Sequence, residues 1–391
     1  MSSASSTGTS RRRAELLSEL VAINSVNPGH AGERSGPGGE QAMAEWLANR
    51  SEALGASVTL DEVEPGRPNV YASFQGSSDR LVAIDVHLDT VGVEHMDGDP
   101  FDGRIANGRV YGRGSVDTKA TLAVLLGLLD DVANGEVALD ASLLLVGTVG
   151  EEFGGLPGAH RFSQWLSDAG RRLDSLVVAE PTLCAPVHGH KGGMGMEITV
   201  HGHAAHSSKP HLGANAITAA ARVVLALQLE HEKLVDQEPS TAMGTGTLSV
   251  TEIGGGRARN IIPDECRLYA GRRVAPGEDP YLIFDELAAV AKAAAAPLEA
   301  TVELVNGRAS GAFYQDPDSE LITRLAAIAE TSPELATYGS NALAYGEVVD
   351  HLVVFGPGSI DQAHQAVEWV DISELDRADE VYRTWLTTAA P

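Results

Sequence analysis

Cysteine is scarce in this chain, with Cys184 and Cys266 the only two in 391 residues. Two thiols make no disulfide framework, so a reducing compartment, the cytoplasm, is expected. Basic residues are also few: 28 Lys and Arg stand against 54 Asp and Glu, a net charge of −26. That balance argues against a nucleic-acid partner, which needs a basic face. Long apolar runs are missing as well. The longest, residues 120–129, is about half of a membrane span, so no membrane contact is expected. The N-terminal MSSASSTGTSRRR lacks an apolar signal core, and residues 1–10 are expected to form a disordered tail.

What is present is a globular balance, 43% apolar and 21% charged, in a chain long enough for two cores. Helical and extended patterns alternate to residue 180, the order of an α/β fold with a mainly parallel sheet and helices on both faces. Residues 187–306 then read β-α-β-β-α-β, a ferredoxin-like α+β insertion. The expected organisation is a metal-binding catalytic domain of residues 11–186 and 307–391, interrupted by a dimerisation and lid domain of 187–306.

Several apolar runs stop at ionisable side chains. LLLVGTVGEE ends on Glu151 and Glu152, LVAIDVHLD on His87 and Asp89, SLVVAE on Glu180, and LVVFGPGSIDQAH on His364. Asp117 precedes the apolar helical run of 120–129. Ligands of open α/β sheets bind outside the carboxyl ends of the strands, so these residues are candidates for one edge. Imidazoles and carboxylates suit zinc or a similar divalent ion. Two histidines and three carboxylates are too many for one tetrahedral ion but suit two ions sharing a carboxylate. One Glu is then left as a base. Adjacent side chains on extended backbone point opposite ways, so Glu151 is the expected base if Glu152 is a ligand.

HLDTV, GRGSVD, GEE, AEP, GHAAHSSKPHLGANAI, NIIPD and GPGSIDQAH, in this order over nearly the whole chain, resemble the co-catalytic metallohydrolase family. That family includes acetylornithine deacetylase, succinyl-diaminopimelate desuccinylase, aminoacylase and the glutamate-releasing carboxypeptidase. The C-terminal GPGSIDQAHQAVEW resembles the acetylornithine deacetylase branch. The resemblance implies two divalent metal ions per subunit, Zn2+ with Co2+ or Mn2+ as alternatives. His87 and Glu180 would hold one, Glu152 and His364 the other, with Asp117 as the bridge and a cis bond between Asp117 and Thr118. Asp89 would hydrogen-bond the His87 imidazole and fix its tautomer. Glu151 would take a proton from the metal-bridging water.

The resemblance also implies a homodimer in which His206 of one subunit stabilises the oxyanion formed in the other. Asn260 and Arg273 match positions that hold the substrate carboxylate, a group suited to a guanidinium fork. Gly271, Asn341 and Thr118 depart from the family pattern, and Asn341 is expected at the substrate-binding wall. The activity implied is hydrolysis of the amide in an N-acyl, N-acetyl by preference, L-amino acid such as N-acetylornithine. Glu180 in place of Asp favours a deacylase or carboxypeptidase over a dipeptidase. A catalytically silent metal-binding dimer scaffold is the remaining alternative.

Overall fold

Helix α1 (Ser2–Ala22) opens the chain and buries Leu16, Leu17, Leu20 and Val21 on one face. The computed structural model describes residues 2–239 and 241–388, with residues 2–7 described for their backbone alone. Residues 2–10, expected as a disordered tail, lie within α1, and Met1 is outside the described residues. Charge supplies the reason: Arg12 pairs with Asp131 at 2.6 Å, Arg13 with Asp376 at 2.5 Å, and the Ser10 hydroxyl donates to Asp376 at 2.7 Å. The basic run that follows residue 10 anchors the helix.

Helix α2 (Gln41–Ala53) follows, then strands β1 (Ser57–Glu64), β2 (Arg67–Phe74) and β3 (Leu81–His87). Helix α3 (Lys119–Ala133), β4 (Ser142–Thr148), α4 (Pro157–Asp168) and β5 (Leu173–Val178) complete the first pass. The chain next builds β6 (Gly192–His201), α5 (Ala216–Val235), β7 (Thr247–Gly255), β8 (Glu265–Val274), α6 (Pro280–Ala295) and β9 (Glu299–Leu304). It returns through α7 (Glu320–Ala329), β10 (Val349–Val354) and α8 (Ile372–Thr387).

These elements form two units. The first comprises the residues up to His188, Gln315–Glu334 and those from Ser340 onward; the second comprises Gly189–Tyr314 and Leu335–Gly339. The return to the first unit therefore falls at 314/315 rather than 306/307. The reason is pairing: Ser310 bridges Gly193, and Phe313 and Tyr314 pair with His190 and Gly189.

The first unit carries a sheet in the order β1–β2–β4–β3–β5–β10. Strands β4, β3, β5 and β10 run parallel, and β1 and β2 add an antiparallel margin. Side chains alternate along β3. Val82, Ile84 and Val86 join the core that also holds Leu20, Leu47, Leu126 and Trp385, from α1, α2, α3 and α8. The opposite face carries Asp85, bonded by the Tyr345 hydroxyl, and Tyr345 packs edge-on against Phe162 of α4. Helices thus cover both faces.

The second unit holds an antiparallel sheet in the order β7–β8–β6–β9, the ferredoxin-like order for a β-α-β-β-α-β chain. Asn215 and Asp279 cap α5 and α6 by accepting backbone N–H bonds with their side chains. Among the described residues, no helix is long and apolar enough to cross a membrane.

Candidate metal centre

Register brings the strand ends of the first unit level. His87 lies opposite Thr148, Asp85 opposite Val178, and Val354 opposite Val178. His87, Glu151, Glu152 and Glu180 leave their strands at the same edge because the strands start in step. The 356–364 loop is laid down beside them by glycine: Gly358 has φ +79, and a Cβ there would stand 2.4 Å from Val116. No other residue allows that approach.

Asp117 is the centre of the arrangement. Its Oδ1 lies 3.1 Å from His87 Nε2 and its Oδ2 3.2 Å from His364 Nε2. His364 Nε2 is also 3.1 Å from Glu152 Oε2. Ligand atoms of His87, Asp117 and Glu152 all lie within 4.8 Å of one another. The peptide between Asp117 and Thr118 is cis. Glu180 is buried, and its carboxyl group feels the charges of Asp117, Glu151 and Glu152.

The electrostatics are those of an acid cluster short of positive charge. Burial, then repulsion from Glu152, Asp89 and Asp117, lifts the Glu151 carboxyl well above the usual range, with His87 opposing. Glu180 is lifted by burial and then by Asp117 and Glu151. Burial and Asp117 raise Glu152 less, because His364 bonds it. Burial works the same way on Asp117, but the bonds from His364 and His87 outweigh it and hold that carboxyl low. His364 is pushed up to about 10 by its bonds to Asp117 and Glu152. For His87, burial pulls down, but Asp117, Asp89 and Glu151 together outweigh it and hold the imidazole well above its ordinary value. Divalent cations would relieve this repulsion. The donor set fits them: imidazole nitrogens, carboxylate oxygens, and one carboxylate whose two oxygens face different imidazoles.

Two expected roles need correction. The Asp89 carboxylate does not make the bond that orients His87; its Oδ1 is 3.7 Å from Nδ1, which bonds the Asp89 backbone carbonyl at 3.0 Å. The carboxylate instead accepts the N–H groups of Gly150, Glu151 and Glu152 at 3.0–3.1 Å, and Asn27 Nδ2 at 2.8 Å. Three adjacent backbone donors outcompete one imidazole. Asn341 is not at a wall open to substrate. It is 2% exposed and donates to Asp85 Oδ2 and Thr148 Oγ1, both at 3.0 Å.

His206, Asn260 and Arg273 belong to the second unit and are exposed. His206 Nδ1 lies 2.8 Å from the Ser208 hydroxyl and 3.2 Å from the Ser208 backbone N–H. His206 and Asn260 lie at the end of the sheet where Glu265 pairs with His201, whereas Arg273 pairs with Gly193 at the other end. Those pairs stand eight positions apart on β8, roughly 26 Å.

Several residues at the site carried no clear signal in the sequence. His30 lies with its Nε2 3.1 Å from the Glu152 carbonyl and its ring edge-on to Phe153, which is 57% exposed. Arg113 and Glu368 form a buried pair beneath Asp117. Lys119 is also buried, donating to the carbonyls of Leu20 and Ile23 at 3.0 and 2.7 Å and closing the end of α1.

Comparison with known proteins gives the class of the molecule first. Residues 188–299 match the family model of the peptidase dimerisation domain and residues 69–179 that of peptidase family M28. The chain is a hydrolase of amide bonds. Over 362 residues it is 32% identical to the acetylornithine deacetylase of Myxococcus xanthus, covering 87% of this chain and 90% of that one. The chain belongs to the M20 peptidase family, whose members are metal-dependent. In fold it is similar to a tripeptidase from Staphylococcus aureus, at 22% identity with a TM-score of 0.76, over 97% of this chain and 98% of that one. It is likewise similar to a Bacillus subtilis protein described as a dinuclear metal-binding peptidase of the M20 family. There the identity is 15% and the TM-score 0.67, over 96% of this chain and 97% of the other.

Proposed function

We infer that the chain hydrolyses the amide of an N-acyl-L-amino acid, with N-acetylornithine as the favoured substrate, releasing a carboxylic acid and a free amino acid. The observation that carries this reading is the Asp117 carboxylate, with one oxygen toward His87 and the other toward His364. His87 and Glu180 would hold one divalent ion and Glu152 and His364 a second, with Asp117 between them; Zn2+ is the favoured metal, Co2+ or Mn2+ the alternatives. When bound, such ions polarise the scissile carbonyl and lower the pKa of a water. Glu151 takes the proton of the attacking water and returns it to the departing amine.

His206, whose Nδ1 faces Ser208, is suited to donate from Nε2 to the oxyanion. Arg273 and Asn260 are suited to the substrate carboxylate. Because His206 and Asn260 lie at one end of the sheet and Arg273 at the other, a site that uses both ends takes them from two copies, which supports a homodimer. A cytoplasmic setting is supported by Cys184 and Cys266, both free and buried.

The test is release of primary amine from N-acetyl and N-succinyl amino acids and dipeptides, with Zn2+, Co2+ or Mn2+ added and a chelator control. Chelator-sensitive release from N-acetylornithine is the expected result. Release from dipeptides alone would make the protein a dipeptidase. No release from metal-loaded protein would favour the scaffold reading.

A further inference from the structure

Glu368 is 1% exposed and lies four residues beyond His364. Its Oε1 accepts the backbone N–H of Val116 at 3.1 Å and that of Asp117 at 3.4 Å. Its Oε2 accepts Arg113 Nη1 at 2.5 Å, and its backbone carbonyl accepts the N–H of Gly112 at 3.1 Å. Arg113, 4% exposed, continues outward: Nη2 donates to the Gly92 carbonyl at 3.0 Å and its own N–H to the Pro100 carbonyl at 2.8 Å. One buried pair therefore fastens the segment before Asp117 to the segment that carries His364, and both to the loop that follows Asp89.

We propose that Glu368 is a positioning residue that sets the aim of the Asp117 carboxylate, and with it the affinity of the chain for its pair of divalent ions. Asp117 must present one oxygen to each side, and a bond to its N–H restricts how its backbone can turn. Glu368 holds that N–H from the same short segment that delivers His364, so the bridging carboxylate and a terminal imidazole are oriented as one piece. Arg113 offsets the charge of a carboxylate that would otherwise be buried beside Asp117. A pair needed only to stabilise a loop would have no reason to bond the backbone of Asp117 itself. The inference rests on the two-ion reading above.

The experiment measures Co2+ binding to metal-free full-length protein by equilibrium dialysis, the visible spectrum of the Co2+-loaded protein, and thermal unfolding in chelator. Wild type, Glu368→Gln and Glu368→Asp are compared. Gln keeps the size but presents an amide donor to Arg113 or to the backbone N–H groups; Asp keeps the charge but is one methylene short. The expected result is a folded Glu368→Gln protein that binds Co2+ about 10–100-fold more weakly with an altered ligand-field spectrum, and a Glu368→Asp protein intermediate between it and wild type. A folded Glu368→Gln protein with wild-type affinity and spectrum overturns the proposal. So does failure of both variants to fold, which would make the pair structural alone. If wild type itself binds no pair of Co2+ ions, the two-ion reading fails instead.

Discussion

The carboxylate of Asp89 accepts the backbone N–H of Glu151 at 3.1 Å, joining the end of one parallel strand to the turn that carries the proposed base. The same side chain takes the N–H groups of Gly150 and Glu152. Asp89 therefore shapes the turn that presents Glu151 and Glu152, while its backbone carbonyl bonds the His87 ring and its carboxylate, 3.7 Å away, favours the protonated imidazole.

Asp89→Ala leaves these donors without their acceptor. Unmade bonds of this kind cost about 1–3 kcal/mol each when buried, so a loss of about 3 kcal/mol in total is expected in urea unfolding, with Co2+ binding weakened as Glu152 drifts. Unchanged stability would contradict the assignment.

Asn341→Ala separates a structural from a substrate-binding role. Asn341 serves Asp85 and Thr148 inside the first unit. The expected outcome is a stability loss of about 2 kcal/mol with KM unchanged. A raised KM with full stability would return Asn341 to the substrate.

In metal-free protein, Asp117 and Glu152 raise His364 to about 10, while an unfolded imidazole titrates near 6.5. The folded state binds this proton more tightly. Its stabilisation is complete below about pH 6.5 and is lost as pH rises through about 10. Urea midpoints of wild type and His364→Asn, both in chelator, should therefore differ most at low pH and converge at high pH. A gap independent of pH would contradict the geometry. Ligation needs the neutral ring, so Co2+ uptake at neutral pH should also release a proton.

The proposed dimer makes a surface prediction. On α5, Leu225 and Leu229 are 65% and 58% exposed, and on the edge strand β7 Ile253 is 56% exposed. Such a helix and edge give an isologous contact. The double change Leu225→Glu with Leu229→Glu should yield a 40.9 kDa species in sedimentation and lose most activity, since His206 of a second copy would be absent. A monomeric wild type would remove this prediction.

The parts legible in the sequence are those written in local pattern. Apolar runs ending in His87, Glu152, Glu180 and His364 can be read because a parallel sheet aligns strand ends, and the β-α-β-β-α-β order fixes the second unit. Burial of charge across distant segments is not local. Glu368 meets Arg113 across 255 residues of chain, and Asn341 meets Asp85 across 256. Nothing in GSNALAY or QAVEW separates a buried network from a surface loop. Arg12 and Arg13 likewise find their acids on α3 and α8, far along the chain.

The most direct measurement is amine release from N-acetyl-L-ornithine by Co2+-loaded Glu151→Gln, beside wild type of equal metal content. A carboxamide cannot accept the proton, and general-base catalysis contributes about 10²–10⁴-fold. The account predicts a loss of that size with metal stoichiometry and fold intact. Wild-type turnover by Glu151→Gln would contradict it.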